Sequence, residues 1–399
     1  MDFLKKYRNE IGLIIAIFAV ITVTTWLSPS YREQPRENAQ SILRDASMLG
    51  IFAFGAAIVI ISGGIDLSSG SVIAFSGTMF FGIIILLVPK TDRGQPITGD
   101  VATWILVASA LATLLCAVLI GTFHTWLITV VELPPFVATL ASLVGLRSLA
   151  RLLSAKMTGS EQITVTDDTL LSIGSEAWWI PVVLWFFFAA IFWVLMNKTV
   201  LGRHLYAMGG NETAAKLSGI RTERLKWLAY CIGSVTAAIS GILYASYVGS
   251  VGASNAGLGY ELNAIASAVV GGCSLMGGLG TIPGVMFGAL FLRLVVDAVQ
   301  KLAVTNADRI EGLVVGVLVV LAVALNTISF GAGKRKEFFP GWLGLVNVLI
   351  LSLIAGVLYG VTATQNALNM GLTAGVVTLA VLAGRAFFER YANKQIART

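Results

Sequence analysis

The chain is divided into apolar runs of about 17 to 22 residues with scarcely a charge inside them. Coiled as a helix, a run of that length matches the ~30 Å hydrocarbon core of a bilayer. Backbone N–H and C=O groups find no water there, so only helices or closed barrels can cross. A barrel would show alternating segments of roughly ten residues, which continuous runs exclude. Only 12% of the residues are charged, about half the ~25% usual for a soluble domain. A soluble enzyme, a nucleic-acid binder and a disordered scaffold are thereby excluded. The expected fold is an all-α polytopic membrane protein, and its net charge of +6 reports orientation, not nucleic acid.

Twelve spans are expected, near 11–27, 42–62, 70–88, 102–120, 136–155, 178–197, 227–248, 262–276, 282–299, 310–330, 341–361 and 367–387. The first follows Lys5, Lys6 and Arg8, exceeds the usual signal-peptide core and lacks a small-residue cleavage site, so it reads as an uncleaved span. With the N-terminus in the cytoplasm, the inner connections carry fifteen lysines and arginines, among them Lys198, Arg203, Lys334, Arg335 and Lys336. The outer ones carry seven. Positive residues stay inside, so both termini are expected in the cytoplasm. Trp26, Trp104, Trp178, Trp179, Trp227 and Trp342 lie near span ends, as in an interfacial aromatic belt. Cys116, Cys231 and Cys273 sit inside apolar runs without metal-ligand spacing, so no metal site is expected.

Two glycine-rich breaks look alike. Gly63-Gly64-Ile65-Asp66-Leu67-Ser68-Ser69-Gly70 separates spans two and three, and Gly271-Gly272-Cys273-Ser274-Leu275-Met276-Gly277-Gly278 separates spans eight and nine. They share Gly, Gly, Leu and Gly at four of eight positions. Broken helices leave backbone groups free for polar cargo, and paired breaks in corresponding halves point to a transport path. The path residues expected on this ground are Gly63, Gly64, Asp66, Ser68, Gly271, Gly272, Ser274, Gly277 and Gly278. Asp66 also has a structural explanation as a helix cap. Arg147 and Arg151 share a face near a span end, where snorkelling to headgroups is expected; Arg293 and Asp297 have the spacing of an i,i+4 pair.

The connection 198–226 contains Gly209-Gly210-Asn211-Glu212-Thr213-Ala214-Ala215-Lys216-Leu217-Ser218-Gly219. Asn211 is placed to cap a short helix, Glu212 to sit near its positive end, and Gly219 to stop it. Ala214 and Ala215 give a small-residue face suited to close docking.

These residues resemble the cytoplasmic coupling motif of ABC importer permeases, with one residue inserted after Glu212. The surrounding segment is similar to the form in ribose/xylose/galactose permeases. Four more segments resemble that family in order: Ile65 to Ser71, Leu133 to Leu140, Gly259 to Ala266, and Gly271 to Thr281. Ser69 and Asn263 depart from its usual Val and Asp. The resemblance covers about residues 40 to 330 and implies the membrane subunit of an ATP-driven importer of a monosaccharide, a pentose or hexose. It implies docking to ATPase subunits through Gly209, Gly210, Asn211, Glu212, Ala214, Ala215, Ser218 and Gly219. It further implies delivery by an external binding protein, pairing with a second permease copy, and a place in the bacterial cytoplasmic membrane. The chain has no phosphate-binding loop, since Gly331-Ala332-Gly333-Lys334 lacks the spacing; ATP would bind the partner, and this chain would be a transport subunit, not an enzyme. Residues 1–330 would form the permease core, and 331–399 a basic linker with two extra spans outside the resemblance, peripheral to transport. The competing class, an ion-coupled secondary transporter, would need a titratable relay built on Asp66 and Asp297.

Overall fold

The computed structural model describes residues 8–92, 95–302, 312, 315–318, 320, 341–362 and 366–396. Lys5, Lys6, Arg309, the Lys334 to Lys336 cluster, Arg398 and most of the expected span 310–330 lie outside them. In chain order the helices are α1 (Arg8–Leu27), α2 (Pro29–Glu33), α3 (Pro35–Ile61), α4 (Ser69–Leu87), α5 (Thr103–Thr129) and α6 (Pro135–Thr158). After strand β1 (Gln162–Thr164) come α7 (Asp168–Gly174), α8 (Trp179–Lys198), α9 (Val200–Gly210), α10 (Glu212–Leu217) and α11 (Thr222–Val248). Strand β2 (Ser250–Gly252) precedes α12 (Tyr260–Val270), α13 (Ile282–Leu302), α14 (Gly341–Thr362) and α15 (Ala367–Ile396).

Nine helices among the described residues are long and apolar enough to cross a bilayer. The helical membrane architecture is therefore as expected, with one correction. The expected span 262–276 is α12, an 11-residue helix only about 16 Å long, half the ~30 Å hydrocarbon thickness. Its polypeptide turns at the second glycine break before reaching the other face. Strand β1 pairs antiparallel with β2, Ile163 opposite Val251, and Lys90 forms an isolated bridge with Pro96.

The chain divides into two compact units, residues 1–298 with 311–326, and 299–310 with 327–399. In the first, α3, α4 and α11 form the core: 83%, 72% and 67% of their apolar windows are buried, against 28% or less for α1, α5, α6 and α8. The four peripheral helices present their leucines, valines and phenylalanines outward, as lipid-facing helices do. Trp26, Trp104 and Trp179 stand exposed near helix ends. Lipid is as apolar as leucine, so close backbone packing holds such helices together. Gly55 of α3 meets Gly233 of α11, with a Cβ on Gly55 placed 2.9 Å from the Gly233 Cα. In the second unit α14 packs on α15 through a similar seam, Gly356 against Gly371.

Loops are tied down by buried polar groups. Asp167 caps α7 by accepting from Leu170 N at 2.8 Å and also accepts from Val101 N at 2.8 Å. Arg147 and Arg151 both reach the loop before α12. Arg147 donates to the carbonyls of Ser254 and Ala256 at 3.1 and 2.9 Å, and Arg151 to the Ser254 hydroxyl at 2.9 Å. Three carbonyls, those of Ala253, Ser254 and Ala256, converge within reach of the Arg147 guanidinium, a fixed set of acceptors for a charged donor.

Gly121 of α5 abuts α11, where a Cβ would lie 2.6 Å from the Cys231 Cα. Gly121→Leu should cost at least the ~1–3 kcal/mol of an overpacked core and lower the Tm in detergent by several degrees. Gly145→Ala, where nothing lies within 4 Å, should leave it unchanged.

Candidate functional site

Helix α3 ends by a specific arrangement of backbone bonds. Gly63 N donates to Ile60 O and Gly64 N to Val59 O, both at 2.9 Å, with Gly63 at φ +86°. This is the paired bonding of a Schellman stop, and its left-handed residue favours glycine. The stop after α12 repeats it: Gly272 N to Val269 O and Cys273 N to Ala268 O at 2.9 Å, with Gly272 at φ +93°. The two breaks are thus conformational equivalents. Their register differs by one residue from that of the shared letters, because Gly63 matches Gly272 and Ser62 matches Gly271.

The breaks meet. Gly278 N donates to Ile61 O, the last carbonyl of α3, at 2.9 Å. A Cβ on Gly277 would sit 3.0 Å from the Gly63 Cα and 2.5 Å from the Gly209 carbonyl oxygen. Gly209, at the end of α9, lies between them; a Cβ there would overlap Ile61 O and come within 2.7 Å of Gly278 N. Three backbone segments distant in sequence therefore touch without side chains between them. Tyr206 adds a further tie from α9, donating to Gly280 O at 2.7 Å. Helix α9 is itself seated by Gly202, Leu205 and Met208 on its buried face. Thr199 caps it, its hydroxyl accepting from Gly202 N at 3.1 Å.

The 198–226 connection has the local structure its residues dictate. Asn211 caps α10, its side chain accepting from Ala214 N at 2.9 Å. Gly219 follows at φ +80°. Glu212 receives Lys226 at 2.8 Å and Lys216 at 3.1 Å. The paired alanines divide, however: Ala214 is exposed, whereas Ala215 is 4% exposed and packs into the core cluster. The outward face of α10 is Thr213, Ala214 and Leu217, the last 86% exposed. Consecutive residues are turned about 100° apart on a helix, so Ala215 faces the core while Ala214 faces outward. Ser218 folds back to Ala214 O at 2.9 Å, while Gly210 is exposed.

A cleft of about 470 Å³ opens beside the junction, between the first break, the Asn211–Glu212 turn and the turn before α6. Glu132, Lys226 and Tyr230 line it; none of these was marked by sequence reasoning, because each is a single polar residue without a motif. Of the expected path residues, Ser274 serves its own turn by accepting from Met276 N at 3.2 Å. Asp66 is 4% exposed, and its Oδ1 accepts from Ser68 N at 2.8 Å and Ser68 Oγ at 2.6 Å. Asp66 therefore does not cap α4, whose N-cap is Ser68; its Oδ1 ties the turn before the helix. Oδ2 and both nitrogens of buried His124 have no hydrogen-bond partner among the described residues.

Burial opposes ionisation of Glu212, but Lys226 and Lys216 outweigh it and hold the carboxyl below its usual range. A depressed native pKa adds stability that is fully present above the unfolded value, about 4.3, and lost as pH falls through the native one. Wild-type protein should therefore melt higher than Glu212→Gln at pH 7, with the difference fading below about pH 4. Separately, Gly209→Ala should lower the Tm, costing about 1–3 kcal/mol through overlap at the junction. Gly210→Ala, with nothing within 4 Å, should not.

A family described as branched-chain amino acid transport system, permease component, matches residues 38–323. The ribose import permease protein RbsC of Haemophilus influenzae is 30% identical over 335 residues, covering 83% of this chain and 96% of the relative. That of Bacillus subtilis is 32% identical over 323 residues, 80% and 92% of the two chains. The galactofuranose transporter permease protein YtfT of Escherichia coli is 31% identical over 300 residues, 72% and 82%. No solved structure matches the chain. On a match that takes in both glycine breaks and the connection between them, the chain belongs to this family of transport-system permease components.

Proposed function

We propose that this chain is the membrane subunit of an ATP-driven importer, carrying a monosaccharide, pentose or hexose, delivered by an external binding protein. The observation that carries the mechanism is the backbone contact of Gly209 with both glycine breaks. Helix α10 projects Ala214 and Leu217 outward, where ATPase subunits dock; ATP is bound by those partners. Their closure shifts the α9–α10 turn, and the shift reaches Gly63 and Gly277 without an intervening side chain to absorb it. Relatives named for ribose import and for galactofuranose transport support the cargo class. A second permease copy completes the path, in the bacterial cytoplasmic membrane with both termini inside. The α14–α15 hairpin is peripheral, acting in assembly or lipid contact.

The test is uptake of labelled ribose and galactose in proteoliposomes holding the permease, its ATPase and its binding protein. ATP should drive uptake, and Leu217→Glu or Ala214→Arg should lower it at least about tenfold, the loss of a docking hot spot, with membrane insertion unchanged. Uptake driven by a proton gradient without the ATPase would instead support an ion-coupled transporter using Asp66 and His124. Normal ATP-driven uptake by both variants would remove the docking assignment.

A further inference from the structure

Away from the glycine junction, α3, α4, α11, α12 and α13 enclose a second cavity of about 100 Å³. One buried water needs roughly 10–15 Å³, so this space fits a small solute. Counted along α3 from Ile61, its lining from Phe52 to Asp45 lies roughly 13 to 24 Å from the first break at 1.5 Å per residue.

The walls are aromatic. Phe52 lies parallel to Tyr260, ring centres 6.2 Å and planes 3° apart. Tyr244 and Tyr247, one turn apart on α11, add two rings. Set into these walls are a few fixed polar groups. Asp45 is held by Arg44 and by Arg293, each at 3.1 Å. The Arg44 guanidinium also lies 3.9 Å from the centre of the Tyr247 ring, a cation–π contact that fixes ring and charge together. Asn263 is 7% exposed, and Ser240 donates to Met48 O at 2.9 Å, leaving its oxygen free to accept.

Charge decides the class of solute. Arg44 and Arg293 face Asp45, and Asp297, one turn beyond Arg293, accepts from Tyr31. Two cations balance two carboxylates. The Arg44 and Arg293 side chains are only 14% and 17% exposed, so an ionic solute would have to break desolvated pairs at high cost. A neutral solute with many hydroxyls need not. Each hydroxyl both donates and accepts, matching guanidinium donors, carboxylate acceptors and an amide that does both. Its C–H faces suit the rings, and apolar walls with a few placed polar groups are what small-molecule sites share.

We propose that this cavity is a binding site for a neutral polyhydroxyl solute on the translocation path, with the Phe52–Tyr260 and Tyr247 rings as its faces and Asn263 as its amide contact. The proposal rests on the sugar-importer reading above and adds where the cargo pauses. It is tested on the purified full chain without ATPase or binding protein, by saturation-transfer NMR with ribose, galactose and leucine. Sugar protons should receive saturation from the wild-type chain. The signal should fall at least about fivefold in Asn263→Leu and Tyr247→Leu, the loss expected for one removed polar or ring contact. Tyr247→Phe, which keeps the ring, and Gly145→Ala, outside the cavity with nothing within 4 Å, should stay within about twofold of wild type. Undiminished signal in Asn263→Leu and Tyr247→Leu overturns the assignment. So does saturation of leucine in place of the sugars, lost in the same variants. If the reconstituted complex takes up sugar while the wild-type chain gives no signal, the cavity assignment fails alone; if the complex takes up no sugar, the importer reading fails.

Discussion

A helix that stops inside a membrane must find partners for its last four carbonyls, because each one left bare in hydrocarbon costs several kcal/mol. Helix α3 meets this requirement completely. Ile58 O accepts from Ser62 N at 3.0 Å, while Val59 O and Ile60 O accept from Gly64 N and Gly63 N at 2.9 Å. The fourth, Ile61 O, accepts from Gly278 N, more than two hundred residues along the chain. The stop of α3 is therefore closed by the turn that follows α12. The need to satisfy one carbonyl fixes how the two breaks are placed, and Gly209 fits into the space that placement leaves.

The rest of the permease core is held by the same kind of force. Between lipid-facing helices there is no hydrophobic gain from association, so the contacts that matter are close backbone packing and buried polar bonds. Gly55 against Gly233 and Gly121 against Cys231 bring helices within van der Waals distance. At the loop before α12, Arg147 gathers the carbonyls of Ser254 and Ala256. Around the second cavity Asp45 joins α3 to α13 through Arg293. In each place a polar residue inside an apolar run answers a specific backbone or charged group.

This explains what was legible in the sequence and what was not. Apolar run length follows from bilayer thickness, so the long spans could be read directly. Asn211 and Gly219 act on their own neighbours, within three residues, so the cap and the stop of α10 were readable too. The repeat of the breaks was visible as letters, but its true register was not. Conformation pairs Gly63 with Gly272, and Ser62 with a glycine, because the carbonyl pattern and not residue identity defines the stop. The length of α12 was misread because a half-helix and a full span are equally apolar up to Val270. Ala215 and Ala214 look alike in sequence, yet a rotation of 100° turns one into the core. The pairing of Asp45 with Arg293 and of Tyr247 with Arg44 was not legible, since in each the two partners lie on different helices.

The absence of side chains at the junction has a mechanical consequence. Where two helices touch through long side chains, a shift of an ångström is taken up by rotamer changes, each costing little. Gly209, Gly63, Gly277 and Gly278 have no rotamers to change. A displacement of α9 must either separate its backbone from Ile61 and Gly278 or carry both breaks with it. Packed interfaces of this kind switch between discrete arrangements and do not deform continuously. The Asn211 cap and the Lys226–Glu212–Lys216 cluster hold α10 onto the same turn. A displacement of the outward face of α10 is therefore passed through a small stiff element to the two points where the spans are broken.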